Sequence, residues 1–502
     1  MLEKEREKID ILDKEIIDLL NKRMEVSGII AKEKMKNNMP IYDLARENII
    51  LNNESINNSK YSESIKNIYK EIFSQSKKLQ SAISKGEVEY ALFGENLFYS
   101  ISKDIHMYAN NKKYRHVQCK NIDDIIKYIT TEKFKGANIT NPFKKQILSR
   151  LDIVDSVGQE IGSVNTIIKK GSKFKGYNTD VQGFMATLRK NNVIVEDRAF
   201  LILGTGATSQ MVKKVLLKMK ASCVLTIGRS SEINYSNYQD KLRDFEFSYV
   251  INATPVGNVL HDYALIDLKY LHINDGVLDL NYFPFYSKLL IQAKKCGLKA
   301  INGLYMLFVQ GVESEKIFQG VDSILVDMEG VYELVGKQIL NITLIGMPGA
   351  GKTTIGKKLA EKMSKEFYDI DEIIEKIMSM SVVDIFTNLG ESFFRNLENF
   401  VLENIIRLKK GAVIATGGGI VENNRNREII SQNSFVVNLE SNVEVSKNHQ
   451  ILQYHSYDDL LKKRKNFYDE ISNLTINSNE ENFDIMYNKI EVEFSRFLKA
   501  NG

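Results

Sequence analysis

Residues 346–354 read Gly-Met-Pro-Gly-Ala-Gly-Lys-Thr-Thr. The apolar run Ile339, Leu340, Ile342, Leu344 and Ile345 before them suits a buried strand, and Ile355, Leu359 and Met363 after them follow helical spacing. Strand, glycine-rich turn and helix in that order make a phosphate-binding loop, and few other short patterns fix a local fold so tightly. Backbone N–H groups of Gly346, Gly349, Ala350 and Gly351 are expected to cradle phosphates at a helix N-terminus. Lys352 is expected to reach the outer phosphates and Thr353 to hold Mg²⁺, with Thr354 beside it. The loop begins two-thirds of the way along a chain of 502 residues, so the polypeptide must fold something else first.

A chain of that length exceeds one ordinary core, and roughly two to four domains are expected. A formal net charge of +4 is too small to imply a nucleic-acid or membrane partner. No 18-residue apolar stretch exists, and Met1-Leu2-Glu3-Lys4-Glu5 is charged and helical in character, unlike a signal peptide. Cys119, Cys223 and Cys296 lie far apart with no metal or redox spacing, which suits free thiols in a reducing, cytoplasmic setting.

Three textures follow one another. Ile9, Leu12, Ile16, Leu19, Leu20, Val26 and Ile30 trace one long helix over 1–35, broken at Asn37-Asn38-Met39-Pro40. Helical periodicity returns around 43–53 and 61–84, and Ser84-Lys85-Gly86 closes this all-helical segment. From Glu89 short apolar strands alternate with helices, the α/β signature, and Leu201-Ile202-Leu203-Gly204-Thr205-Gly206 opens a nucleotide-type unit within it. A further α/β unit starts near 336–340. No repeat, low-complexity stretch or Pro-rich spacer separates the segments.

In the helical segment, Arg23 and Lys34 are 11 positions apart and fall within roughly 20° of one helix face, whereas Arg6 lies roughly 100° away. Two cations on one side suit a dianionic ligand, although a solvated charged stripe gives the same pattern. Asp43, Arg46 and Glu47 follow Pro40 at i, i+3 and i+4, and Ser76 and Gln80 are one turn apart. This set resembles the all-helical chorismate mutases over essentially the whole segment. The resemblance implies a three-helix fold in an intertwined homodimer, with Arg6 entering the partner's site. It implies that the arginines and Ser76 bind chorismate, that Lys34 and Gln80 stabilise charge on the ether oxygen, and that Glu47, with Asp43 nearby, meets the ring hydroxyl. No metal or cofactor is implied for that rearrangement.

The middle segment carries Ser100-Ile101-Ser102, then Gly136-Ala137-Asn138-Ile139-Thr140-Asn141-Pro142-Phe143-Lys144, then Gly162-Ser163-Val164-Asn165-Thr166 continuing to Gly176-Tyr177-Asn178-Thr179-Asp180. With Asn252-Ala253-Thr254, Asp279, Tyr282-Phe283-Pro284 and Asn302-Gly303-Leu304 through Gln310, it resembles shikimate dehydrogenase from about 88 to 335. That resemblance implies a two-lobed enzyme with a Rossmann-type cofactor lobe. Ser100 and Ser102 are expected on the substrate carboxylate, Asn165, Asp180, Thr140 and Gln310 on ring hydroxyls, and Lys144 with Asp180 as the catalytic pair. Gly204, Thr205, Gly206 and Ala207 form a partial dinucleotide fingerprint in which Ser209 replaces the third glycine. Arg229 at the end of the next strand suits a 2′-phosphate, so NADP(H) is favoured over NAD, while Ser231 and Glu232 stand where a second basic residue is often found.

After the phosphate loop, Asp369 and Asp371 stand two apart at the end of a short strand, which would point both to one face. Phe394-Arg395-Asn396-Leu397-Glu398 sets a cation and an acid at i, i+3 on a helix, and Gly417-Gly418-Gly419 allows close approach of a ligand. With Arg464 on a later basic helix, this segment resembles shikimate kinase over about 340–502. The resemblance implies ATP as phosphoryl donor, Asp369 ordering Mg²⁺, Asp371 activating the acceptor hydroxyl, and Arg395, Gly418, Gly419 and Arg464 binding shikimate. The family's Arg-Pro-Leu-Leu lid stretch reads His449-Gln450-Ile451-Leu452 here, and Val443 to Asn448 is short. Lys447, Lys462 or Lys463 are candidate replacements for the lid arginine.

The expected organisation is therefore a mutase-like helical domain over 1–86, a dehydrogenase-like domain over 87–337 and a kinase-like domain over 338–502. Within the second, the substrate lobe covers about 87–185 plus the C-terminal helices, and the NADP lobe about 186–300. The expected function is a cytoplasmic, trifunctional enzyme of aromatic amino-acid biosynthesis acting on small-molecule substrates, a homodimer through its helical domain. The alternative reading is a bifunctional mutase and dehydrogenase whose C-terminal domain binds nucleotide without efficient turnover.

Overall fold

The computed structural model describes residues 2–36, 44–84, 88–109, 111, 113–324, 326–441, 456–478 and 482–501. The chain divides into two compact units, one made of 1–158 and 164–177, the other of 159–163 and 178–502.

In the first unit, α1 (Leu2–Lys36), α2 (Leu44–Leu51), a short α3 (Glu54–Asn57) and α4 (Ser62–Ser84) make the helical segment, so one helical turn is added to the three helices the periodicity predicts. α4 packs against α1 and buries Phe73 and Ser76. The same unit contains a six-stranded sheet of β1 (Tyr90–Gly94), β2 (Tyr114–Gln118), β3 (Gly136–Ile139), β4 (Ile153–Val154), β5 (Thr166–Lys170) and β6 (Lys173–Tyr177) in the order β2-β1-β3-β5-β6-β4. β1 runs parallel to β2 and β3, and β5 runs antiparallel to β3 and β6. Ala91, Phe93, Ile125, Phe134, Ala137 and Ile167 form the centre of its core.

The second unit holds two parallel sheets. β7 (Ala199–Leu203), β8 (Cys223–Ile227), β9 (Glu246–Asn252), β10 (His272–Asp279) and β11 (Lys299–Ile301) take the order β11-β10-β9-β7-β8. Phe200, Leu201, Ile202 and Leu203 are all buried, the continuous apolar run of a strand covered on both faces. Beside this sheet the helix Asp180–Lys190 packs on the helix Leu304–Gln319, and the absence of a side chain at Gly183 permits it: a Cβ there would stand 2.6 Å from the Met306 carbonyl oxygen.

The last sheet comprises β12 (Asn341–Ile345), β13 (Phe367–Asp369), β14 (Val413–Ala415), β15 (Ser434–Glu440) and β16 (Leu474–Asn477), ordered β13-β14-β12-β15-β16. Ile339 does not belong to β12. It closes the helix Met328–Ile339, which spans positions 337 and 338 and hands over to the strand through Leu340 alone.

Side chains tie the β9–β11 region to this last sheet's helices. Asp262, 6% exposed, accepts hydrogen bonds from Arg407 Nη2 at 3.2 Å and Gln432 Nε2 at 2.9 Å, and pairs with Lys288. The backbone N–H of Phe285 donates to Asn433 Oδ1 and that of Tyr286 to the Gln432 carbonyl. The Tyr286 hydroxyl reaches Asn501 Oδ1 at 2.8 Å, while its ring meets Phe497 edge-on. Buried backbone groups of one sheet's loop are thereby satisfied by another sheet's helices, which is how a permanent packing contact differs from a loose one.

Candidate active sites

In the helical segment, the Arg23 guanidinium donates to Ser76 Oγ at 2.5 Å across the α1–α4 packing, and its flat face lies over Phe73 at 5.6 Å. Ser27 Oγ also approaches Ser76 Oγ, at 3.4 Å. Arg6 is exposed, Lys34 and Glu47 are partly buried, and Arg46 is exposed on α2. Asp43 and the side chain of Gln80 lie outside the described residues.

The six-stranded sheet places Thr140 just past β3 and Lys144 four residues on, in a turn whose backbone is fixed by Val164 N–H donating to the Lys144 carbonyl. Asn165, 2% exposed, accepts from Thr166 through its side-chain oxygen and closes the backbone ladder from Ile139. Ser100 Oγ donates to Ser102 Oγ at 3.2 Å and accepts the Ser102 N–H, so the two hydroxyls form one polar group at a helix start. In the second unit, Asp180 opens the helix Asp180–Lys190 with its N–H on Asn178 Oδ1, and the Gln310 carbonyl accepts from Thr179 and Ser314.

At the C-terminal edge of β7, Gly204 (φ 106°) turns the chain into the helix Ala207–Lys218, with Gly206 at its N-cap. A Cβ on Gly204 would meet Thr254 at 2.7 Å and Ser209 Oγ at 2.9 Å, so Ser209 fills the space beneath the turn where the fingerprint's third glycine normally stands. Arg229 is exposed just beyond β8, next to Gly228, where a Cβ would touch Thr205 at 2.5 Å. The glycine turn and the arginine therefore share one rim.

The phosphate loop runs from β12 into the helix Lys352–Lys362. Lys352, 8% exposed, folds back and donates to the Gly346 and Met347 carbonyls, each at 2.9 Å. Thr353 Oγ1 donates to Asp369 Oδ2 at 2.6 Å. Asp369 ends β13 and caps the helix Ile370–Met378 through the N–H groups of Asp371 and Glu372. Asp371 thus sits in the first turn of that helix, and the expectation that both aspartates leave the strand on one face is corrected: the helix cap, not strand alternation, brings them together. Arg395 pairs with Glu398 at 2.9 Å and Glu391 at 3.1 Å, and a Cβ on Gly419 would run into its guanidinium. Tyr468 donates to the Gly418 carbonyl, and Arg464, 4% exposed, lies one turn before it.

Family comparison covers each segment. Residues 5–81 match the model for chorismate mutase type II, 92–167 that for the shikimate dehydrogenase substrate binding domain, and 348–493 that for shikimate kinase. A shikimate dehydrogenase (NADP(+)) of Clostridium perfringens is 32% identical over 269 residues, spanning 49% of this chain and 97% of the relative. The chain belongs to the shikimate dehydrogenase family. It is a multifunctional shikimate-pathway enzyme, with chorismate mutase, shikimate dehydrogenase and shikimate kinase domains. Among solved structures, a chorismate mutase/shikimate 5-dehydrogenase fusion from Clostridium acetobutylicum shares 25% identity over 50% of this chain and 97% of its own, with a TM-score of 0.46. A shikimate kinase from Acinetobacter baumannii bound to shikimate shares 34% over 32% of this chain and 94% of its own, with a TM-score of 0.29.

Electrostatics single out two carboxylates of the shikimate kinase domain. Burial, reinforced by Glu398 and Asp369, pushes Asp371 up to about 7. Burial likewise raises Glu398, against the pull of Arg395. Asp371 Oδ1 and Glu398 Oε1 are buried acceptors with no partner among the described residues, and both flank the position a Cβ on Gly417 would take. Buried acceptors left open in this way fit hydroxyl donors of a ligand. Lys352 is drawn down to about 8 by burial, with Asp371 and Asp369 opposing. Glu398 and Glu422 carry no sequence motif of their own. The i, i+3 spacing of Arg395 and Glu398 was a signal for the first, and nothing local marks the second. Among the described residues no group of His, Cys, Asp and Glu forms a metal cluster, and no helix is long and apolar enough to cross a membrane.

Proposed function

We propose that the enzyme rearranges chorismate to prephenate, reduces 3-dehydroshikimate to shikimate with NADPH, and phosphorylates shikimate with ATP. The open acceptors of Asp371 and Glu398 beside the phosphate loop carry the kinase reading, because a polyhydroxylated acceptor supplies the donors they lack. The domain limits we assign are 1–86, 87–337 and 338–502.

In the mutase, Arg6, Arg23 and Arg46 bind the substrate carboxylates. Arg23 is pre-set by Ser76, and Lys34 and Gln80 stabilise the developing ether-oxygen charge. Asp43, outside the described residues, is assigned to substrate binding by the resemblance alone, and Glu47 meets the ring hydroxyl. Ile9, Leu12, Ile16, Leu19, Val26 and Ile29 on α1 are each more than half exposed, an apolar surface that supports a homodimer through the helical domain.

In the dehydrogenase, Ser100 and Ser102 hold the carboxylate, and Thr140, Asn165 and Gln310 the ring hydroxyls. Lys144 and Asp180 handle the proton. NADP(H) fits the rim made by Gly204, Thr205, Gly206, Ala207 and Arg229, where glycines leave room for a pyrophosphate and a cation suits a 2′-phosphate. When bound, it supplies the hydride.

In the kinase, ATP fits the loop Gly346, Gly349, Ala350, Gly351, Lys352, Thr353 and Thr354, whose lysine rests on the Gly346 and Met347 carbonyls. Mg²⁺ fits the hard oxygen pair of Thr353 and Asp369. Arg395, Gly418, Gly419 and Arg464 bind shikimate, and Asp371 accepts the proton of the attacking hydroxyl. The segment 442–455, which contains Lys447 and His449–Leu452, lies outside the described residues.

The test is shikimate-dependent ADP release by the full-length protein with MgATP, beside Asp371→Asn. Turnover lost in the variant supports the reading. No turnover in the wild type, with dehydrogenase and mutase active in the same sample, reduces the enzyme to two activities.

A further inference from the structure

The turn Ile420–Glu422 follows directly on the glycines 417–419, and Glu422 points from it onto Arg464. Both Nε and Nη2 of Arg464 reach Glu422 Oε1 at 2.7 Å, and Lys463 pairs with Oε2. The contact is not a mobile surface pair. Arg464 is buried, and the Glu422 N–H is held by the Gly419 carbonyl. Arg427 Nη1 donates to the Val421 carbonyl at 2.6 Å from behind. Burial opposes the charged form of Glu422, yet the hydrogen bonds of Lys463 and Arg464 outweigh it and hold the carboxyl below its usual range.

The Nε–Nη2 edge is one of the two faces by which a guanidinium grips a carboxylate. Arg464 therefore already carries a carboxylate on one such face, and so does Arg395, through Glu398 and Glu391. The partners of Arg395 come from its own helix. Glu422 comes from the acceptor-binding turn itself, so an acidic acceptor approaching Arg464 meets a cation already paired with a fixed negative charge.

We propose that Glu422 is a built-in competitor for the substrate carboxylate, setting the affinity of the kinase domain for its acidic acceptor by holding Arg464 and Lys463. This rests on the assignment of shikimate as acceptor and of Arg464 to its carboxylate. Displacing or sharing the pair costs binding energy that substrate must supply, and that cost falls on the ground-state complex and the transition state alike, so it acts on KM.

The experiment compares wild type, Glu422→Gln and Glu422→Ala full-length protein in shikimate-dependent ADP release and in equilibrium binding of shikimate by calorimetry. Each is made in a Lys144→Ala background that weakens shikimate binding at the dehydrogenase site, with a Lys144→Ala, Arg464→Ala protein as the blank for this domain. Both variants are expected to lower the shikimate KM and Kd by roughly three- to tenfold, the size of one partly exposed charge pair. The ATP KM stays in place, and the uncharged methyl ester of shikimate gains nothing. Dehydrogenase activity of the Glu422 variants with Lys144 intact reports that they fold. A shikimate Kd that is unchanged or higher in Glu422→Gln overturns the proposal and makes Glu422 a prop for Arg464. A wild type that binds no shikimate at this domain overturns the acceptor assignment instead, and the proposal with it.

Discussion

Asp371 Oδ1 and Glu398 Oε1 converge on the space above Gly417, each buried and each without a hydrogen-bond partner among the described residues. Two like charges so placed cannot both be comfortably ionised, which is why burial and mutual repulsion lift Asp371 to about 7. The kinase kcat/KM is therefore expected to rise with pH through about 7, as Asp371 becomes able to accept a proton. Asp371→Asn removes both the activity and that limb of the profile, and a pH–rate series checks it.

The same carboxyl makes a stability prediction of definite sign. Its folded value is raised above the unfolded one, so the folded state binds the proton more tightly. That stabilisation is complete below the ordinary aspartate range and is lost as pH climbs to about 7. At pH 8 Asp371→Asn should stabilise the protein by on the order of 1 kcal/mol or more, because it removes a buried charge. Thermal melts of the two proteins at pH 8 decide it, and a melt lowered by the substitution counts against the assigned environment.

Gly419→Ala is expected to raise the shikimate KM and leave the ATP KM alone. The added methyl collides with the Arg395 guanidinium and not with the phosphate loop. Steady-state kinetics with each substrate varied in turn separate the two.

Asp262→Ala strips Arg407 and Gln432 of a shared, nearly buried acceptor. Loss of one partner in such a set costs about 1–3 kcal/mol. Because those contacts join the dehydrogenase cofactor sheet to the kinase helices, MgADP should slow thermal loss of dehydrogenase activity in the wild type, and this cross-protection should shrink in the variant. Inactivation rates with and without MgADP measure it.

Arg23→Ala should abolish mutase activity with dehydrogenase activity retained in the same sample. Ser76→Ala should weaken mutase less, since it frees Arg23 without removing the charge. Assay of both activities in each variant tests the ranking.

Much of the molecule was legible along the chain because its signals are local. The phosphate loop is one continuous segment, and glycines with positive φ at 346, 349 and 351 belong where the sequence has them. The long apolar period of α1 and the buried runs of β7 and β12 name their elements without help from the rest of the fold. Boundaries were less secure: Ile339 reads as strand by apolarity, yet the capped helix from Met328 claims it. Asp371 reads as strand by proximity to Asp369, yet Asp369 starts a helix there by accepting two backbone N–H groups.

What the sequence determined by itself is which chemistry each segment carries, since residue type and short spacing fix phosphate loops, glycine turns and helix faces. Only the tertiary structure decided which charges neutralise one another. Glu422 and Arg464 are 42 residues apart, and Asp262 and Arg407 are 145 apart. Pairing across such distances depends on how strands and helices pack, because a charge is held by what surrounds it in space and not by its neighbours in the chain.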